Sequence, residues 1–178
     1  MKDLADHLFD IIENSVNAGA DEVIVKIAYT ESYFFCFISD NGKGISGQEV
    51  LDPFVTSRTT RRVGLGLPLL KRTAEDTGGY LKIKRIDESG GTALQFKMYL
   101  THIDAKPVGD LARTFSDIFF AWPEVTVRLF VIRDGIERLI LDFQKLRDEI
   151  EQGLKNYTNI RKHIHEVSHK EFKDINII

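Results

Sequence analysis

The sequence predicts an α+β protein. It reads as a two-layer α/β sandwich with a mixed, mainly antiparallel sheet, helices on one face, and a small C-terminal α/β appendage. Three observations predict it. Apolar residues recur at helical spacing at the start of the chain, as Leu4, Leu8, Ile11, Ile12 and Ser15. They then alternate twice, as Val23, Val25, Ile27 and Tyr29 and as YFFCFIS over 33–39. A second helix-then-hairpin set follows a glycine-rich stretch, so the order is helix, hairpin, glycine-rich loop, helix, hairpin.

Taken in order, residues 3–18 read as a helix. Asp3, His7, Asp10, Asn14 and Asn17 lie on a stripe apart from the apolar one, and Gly19 closes the helix. Residues 22–30 read as a strand and 33–39 as a more buried one. Residues 67–77 read as a helix ended by Gly78-Gly79. Strands near 80–86 and 92–100 follow, the last with Leu94, Phe96, Met98 and Leu100 on one face. Pro107, after THIDAK, marks a seam between a domain over 1–104 and an appendage over 105–178. The appendage opens with an apolar helix over 110–121 and continues with VTVRLFVIRDGIERLILDF, a hairpin turning at Asp134-Gly135. One or two charged helices run from 143 to the end.

Hydrophobic residues make up 43% of the 178 positions and charged residues 29%, a composition that can bury a core. A net charge of −3, spread evenly, argues against a generally basic nucleic-acid binder or a polybasic membrane-surface protein. The single cysteine, Cys36, excludes an internal disulfide, a four-cysteine zinc site and a CxxC redox centre, and its apolar strand makes it a core residue. MKDLADHLFDIIENS lacks the basic and apolar regions of a signal peptide, and no apolar run is long enough to span a bilayer. The expectation is a cytoplasmic protein with neither a nucleic-acid nor a membrane partner.

Three features of the first hundred residues belong together. In DIIENS, Asp10 and Asn14 are four apart and share one helical face, where a carboxylate can take a proton and an amide oxygen can bind a hard cation. In SDNGKG, a carboxylate at a strand end is followed by glycines, so it can accept from an exocyclic amine while the backbone approaches a flat ring. In VGLGLP, just before a helix, glycines let the backbone curl around phosphate oxygens at a helix N-terminus. Singly, a glycine pair after a strand is an ordinary turn, and an acid and an Asn four apart are an ordinary solvated helix face. Their joint occurrence, in order, points to a site.

These residues resemble the Bergerat-fold superfamily of gyrase, the heat-shock chaperone, histidine kinase and MutL (GHKL). DIIENSVNAGAD is similar to its N motif in the MutL form, SDNGKGIS to its first glycine motif, and DPFVTSRTT to its phenylalanine motif and lid. VGLGLPLLKRTAEDTGG is similar to its second glycine motif and GGTALQFKMYL to its closing strand. The resemblance covers residues 4–100 and implies a protein that binds ATP with Mg²⁺. It implies that Asp40 accepts the adenine amino group, assisted through water by Thr92, and that Gly42 and Gly44 admit the ring while Ile45 covers it. It implies that Asn14 holds Mg²⁺, and that Gly64, Leu65, Gly66 and Leu67 offer backbone amides to the phosphates. Thr59 and Thr60, in the lid, would add hydroxyl donors. Arg58, Arg61 and Arg62 fit either phosphate contacts or a solvated loop.

Asp10 stands where hydrolysing members usually carry Glu and many histidine kinases Asn, so it keeps a base with one methylene less reach. Asn17 stands where histidine kinases often place Lys or Arg, and the lid from Gly44 to Gly64 is short, as in kinases. The implied function is a kinase-like regulator that transfers the γ-phosphate in trans to a protein partner, histidine-kinase-like or serine-kinase-like. The alternative is an ATP-dependent conformational switch or ATPase acting on a partner without phosphorylating it. Nine residues precede Asp10, so the phosphoacceptor hairpin of an ordinary histidine kinase is not expected. The acceptor is expected on another protein or in the C-terminal segment, and a homodimer is a further expected assembly.

Other motifs weigh less. His7, one turn before Asp10, could orient it, but reads first as a helix-surface histidine. His165-Glu166-Val167-Ser168-His169 fits the HExxH zinc pattern, yet a charged terminal helix is the better reading, because few acids follow it and no sheet forms a cleft. Asn156-Tyr157-Thr158 fits a glycosylation acceptor without a secretion signal. HIDAKPVGDLARTF resembles small stand-alone ATP-binding proteins of anaerobic bacteria whose genes neighbour iron-hydrogenase subunits, which implies a redox-enzyme partner.

Overall fold

A computed structural model describes residues 1–45, 66–88 and 90–172. The N-terminal amphipathic stretch forms α1 (Leu4–Asn17), and the alternating stretches form β1 (Glu22–Tyr29) and β2 (Tyr33–Asp40). Then come α2 (Gly66–Asp76), β3 (Tyr80–Asp87) and β4 (Gly90–Tyr99). The remaining elements are α3 (Leu111–Ala121), β5 (Thr126–Arg133), β6 (Ile136–Asp142), α4 (Phe143–Glu151) and α5 (Tyr157–Phe172).

The strands form one mixed sheet in the order β3-β4-β2-β1-β5-β6, bearing out the α+β class. The β1–β5 pair is parallel, Val23 opposite Val127 and Ile27 opposite Val131, and the other pairs are antiparallel. The C-terminal hairpin therefore extends the same sheet across residue 105. Its turn is the one that Asp134-Gly135 dictates, with φ of 52° and 75° at the two central residues.

Register assigns each strand residue to a face. Val23, Val25, Ile27, Phe34, Cys36, Ile38, Leu94, Phe96 and Met98 share one face and are buried there with the apolar sides of the helices. Phe34 stacks on Phe96 at 5.9 Å, while Phe119 of α3 meets Phe143 of α4 edge-on at 5.1 Å. Cys36 is core, and burial pushes its thiol upward out of the reactive range.

α1 needs a partner at its N-terminus, because the first turn of a helix leaves N–H groups without acceptors. Asp3 caps it by accepting from Asp6 N at 2.8 Å. Leu4 N and Ala5 N donate to the carbonyls of Pro107 (3.1 Å) and Val108 (2.9 Å), so the segment after β4 grips the start of α1. His7 departs from the sequence reading: it is buried, not on the helix surface, because α1 turns that side toward the seam. Among the described residues neither ring nitrogen has a hydrogen-bond partner, and none joins it to Asp10. Among the described residues, no helix is long and apolar enough to cross a membrane.

Candidate functional site

The site is assembled from α1, the end of β2, the start of α2 and the start of β4. A serine on the apolar stripe of α1 carries a hydroxyl into the core, where it must find an acceptor. Ser15 Oγ finds it in Asp40 Oδ2, at 2.8 Å. The other oxygen, Asp40 Oδ1, accepts from Gly42 N at 3.0 Å and from Thr92 N at 3.2 Å. Asp40 is thus a buried carboxylate held by three donors from three separate segments. Charge-assisted bonds of this kind contribute about 1.5–3 kcal/mol each, enough to fix the carboxylate's orientation. A carboxylate has roughly four acceptor positions, so Oδ2 keeps one lone pair for a further donor.

The loop after β2 is stapled on both sides. Asn41 Oδ1 accepts from Asp21 N at 3.1 Å and Glu22 N at 3.0 Å, and Lys43 N donates to Ala18 O at 3.0 Å. Gly91 N donates to Gly42 O at 2.6 Å, tying the loop to β4. Gly44 takes φ of +75°, and a Cβ there would lie 2.9 Å from Gly91 O, so only glycine lets the loop run this close to β4.

On α1, Asn14 Nδ2 donates to Asp10 Oδ2 at 3.2 Å, so the two residues four apart do share a face. α2 starts directly against them: a Cβ on Gly66 would overlap the Asp10 carboxylate. Glycine at that position lets the N-terminal turn of α2, the positive end of its dipole, come this near to Asp10 with the carboxylate in place, and a larger residue would push the carboxylate aside.

The structure therefore brings together Asp10, Asn14 and Gly66 on one side and Asp40, Gly42 and Thr92 on the other. Gly44 and Ile45 follow in the same loop, and Leu67 lies in α2 against the core. Thr59, Thr60, Gly64 and Leu65, with Arg58, Arg61 and Arg62, lie outside the described residues. Thr92 meets Asp40 through its own backbone N–H, a contact that the sequence reading did not include. Sequence reasoning also missed Ser15 as a partner of Asp40 and Gly91 as a partner of Gly42. A signal for Ser15 existed: it is a hydroxyl on an otherwise apolar stripe.

The donor set suits a hard cation in one respect, since the amide of Asn14 and the carboxylate of Asp10 supply oxygen and not sulfur or imidazole. Among the described residues, no three His, Cys, Asp or Glu side chains gather as a metal cluster. An ion here would need ligands from a bound phosphate as well. His165 and His169 stack on α5 with ring centroids 5.8 Å apart, in a different part of the chain.

The sequence profile of a family described as histidine kinase-, DNA gyrase B- and HSP90-like ATPase matches residues 2–102. No curated protein matches. Among solved structures, the chain is similar to the N-terminal domain of a DNA repair protein, with a TM-score of 0.56 and 16% identity. That likeness covers 80% of this chain and 53% of the other, so the chain spans about half the length of that domain. It is also similar to the Aquifex aeolicus MutL ATPase domain complexed with ADP, with a TM-score of 0.54, 16% identity, and coverage of 85% and 70%. At these identities the likeness is one of fold.

Proposed function

The chain belongs to the family of histidine kinase-, DNA gyrase B- and HSP90-like ATPases, and from that premise we propose that it is a kinase-like regulator which binds Mg-ATP and passes the γ-phosphate in trans to a protein partner. Its fold is the Bergerat fold, and family membership supports ATP binding. The observation that carries the reading further is Asp40, buried and oriented by Ser15, Gly42 and Thr92 with one acceptor position remaining. That acceptor fits the exocyclic amine of adenine, with Gly42, Gly44 and Ile45 beside the ring and Thr92 at its edge.

The triphosphate would then lie toward α2, whose first residues Gly66 and Leu67 would offer backbone amides. The family resemblance assigns amides of Gly64 and Leu65 and hydroxyls of Thr59 and Thr60, all outside the described residues, to the same phosphates. Asn14 would hold Mg²⁺, which when bound neutralises phosphate charge. In the transfer, the bond between the γ-phosphorus and the β,γ-bridging oxygen breaks and ADP leaves. The partner's hydroxyl or imidazole forms the new bond to phosphorus and gives its proton to Asp10. Asp10 is suited to this, since it borders both Asn14 and the start of α2.

A second reading rests on one observation. The carbonyls of Pro107 and Val108 hold the first turn of the helix that carries Asp10 and Asn14. Nucleotide binding could thereby alter residues 105–178 and their hold on a partner without any transfer, so the chain would act as a switch.

The test is calorimetric titration of ATP, with and without Mg²⁺, into wild type and Asp40→Asn, with phosphate release followed in parallel. Magnesium-dependent binding that is lost in the variant is expected, and no binding by the wild type overturns the reading. Asp10→Asn separates the two roles: it abolishes transfer in a kinase and spares ATP-dependent partner binding in a switch.

A further inference from the structure

The sheet face turned away from the helices has two halves of different electrostatic character. On the β1–β5–β6 half, each outward cation has its carboxylate: Lys26 meets Glu137 at 2.8 Å, and Arg128 pairs with Glu22 and, at 3.3 Å, with Asp142. On the β2–β4–β3 half, the register sets Phe37 opposite Gln95, Phe35 opposite Lys97, and Lys82 and Lys84 opposite Gln95 and Ala93. Tyr33, Phe35 and Phe37 thus share a surface with Lys82, Lys84 and Lys97, and no outward position of these three strands carries an acid.

Among the described residues none of these three lysines is ion-paired. Lys97 lies over the rings of Tyr33 and Tyr99, at 4.4 and 4.7 Å, and Lys82 over Tyr80 at 5.1 Å. Exposed cation–π contacts are worth only about 0.5–1 kcal/mol and leave the charge in place. An open cavity of about 1010 Å³ wraps the edge strand β3, lined on the outward face by Phe37, Lys82 and Lys84 and on the helix side by Leu81, Ile83, Leu94, Ile45 and Lys71.

We propose that this half of the sheet docks a protein partner through an acidic amphipathic segment, whose apolar stripe covers Phe35 and Phe37 and whose carboxylates meet Lys82, Lys84 and Lys97. Charge complementarity selects this occupant. A second copy of the chain, using the same face, would set lysines against lysines. A single-stranded nucleic acid would have to displace ammonium groups from the tyrosine rings before its bases could stack there. None of the three lysines belongs to the Asp10–Asp40 constellation, and the cavity beside them borders that site at Ile45.

The experiment uses fluorescence anisotropy with three probes: a synthetic helical peptide with a leucine stripe flanked by glutamates, its lysine-for-glutamate counterpart, and oligo(dT). The whole chain is compared with Lys82→Glu/Lys84→Glu/Lys97→Glu and with the triple Lys→Arg variant. The glutamate peptide is expected to bind the wild type and the arginine variant, more weakly as salt rises, and at least about tenfold more weakly to the charge-reversed one. The arginine variant keeps the test valid if charge reversal unfolds the chain, because binding must then survive exchange of all three lysines. No binding of the glutamate peptide, equal binding by the charge-reversed variant, preference for oligo(dT) or for the lysine peptide, or dimerisation through this face would overturn the proposal.

Discussion

Asp40 is a carboxylate that the fold holds in one orientation, and each of its donors comes from a different part of the chain. Asp40→Asn keeps the shape but places an amide N–H₂ where an acceptor is required, so ATP affinity is expected to fall by about tenfold to a hundredfold in a calorimetric titration. Gly66 permits a sharper test. Alanine at a helix start is ordinarily harmless, but here its methyl would displace the Asp10 carboxylate. Gly66→Ala is therefore expected to keep the circular dichroism of the wild type while weakening nucleotide binding or turnover by at least about tenfold. Unchanged function would show that the Asp10 contact is only structural. His7 bears on stability. Burial, with Lys106 and the N-terminal amine nearby, pushes its imidazole down to about 4 from 6.5. Well above pH 6.5 both folded and unfolded chains hold it neutral, so it contributes no pH dependence there. As pH falls from 6.5 toward 4 the unfolded chain takes the proton first, and stability drops by about 2–3 kcal/mol across that window. His7→Leu should flatten this slope in urea unfolding measured between pH 7 and 4.5, and an unaltered slope would assign it to other groups.

Among the elements, α1 has the most to do, because its apolar stripe builds the core while the neighbouring stripe carries Asp10 and Asn14. Its periodicity was readable because five positions repeat at helical spacing, and its limits follow from Asp3 as cap and Gly19 as stop. The β5–β6 turn was equally readable, since Asp134-Gly135 suits the two positive φ values that a two-residue hairpin needs. Strand faces were legible from alternation, and Leu94, Phe96 and Met98 point into the core as their spacing requires. Phe96, fully buried and stacked on Phe34, joins β4 to β2 through side chains as well as backbone. Phe96→Ala is expected to lower unfolding free energy by about 3–5 kcal/mol in chemical denaturation, from lost burial plus an unfilled cavity. A loss under about 1 kcal/mol would mean that the sheet collapses around the gap.

For the whole molecule, the sheet runs without a break from β3 to β6 and the C-terminal helices share its core, with Val127, Leu129 and Val131 as buried as Val23 and Val25. A shared core predicts one cooperative thermal transition, coincident by far-UV and near-UV circular dichroism, and two separated transitions would contradict it. Element order, strand faces, hairpin turn chemistry and the ordered glycine and carboxylate motifs were determined by the sequence itself. Each depends on periodicity or on backbone preferences within a few residues, which a single chain displays directly. Only the tertiary structure decided that Ser15 reaches Asp40 25 residues away, that β5 lies parallel beside β1, and that His7 is buried. It likewise decided that the lysines of β3 and β4 line up with the aromatic residues of β2 on the outward face. Those outcomes depend on which distant surfaces meet when the apolar faces are buried together, and no local pattern encodes that choice.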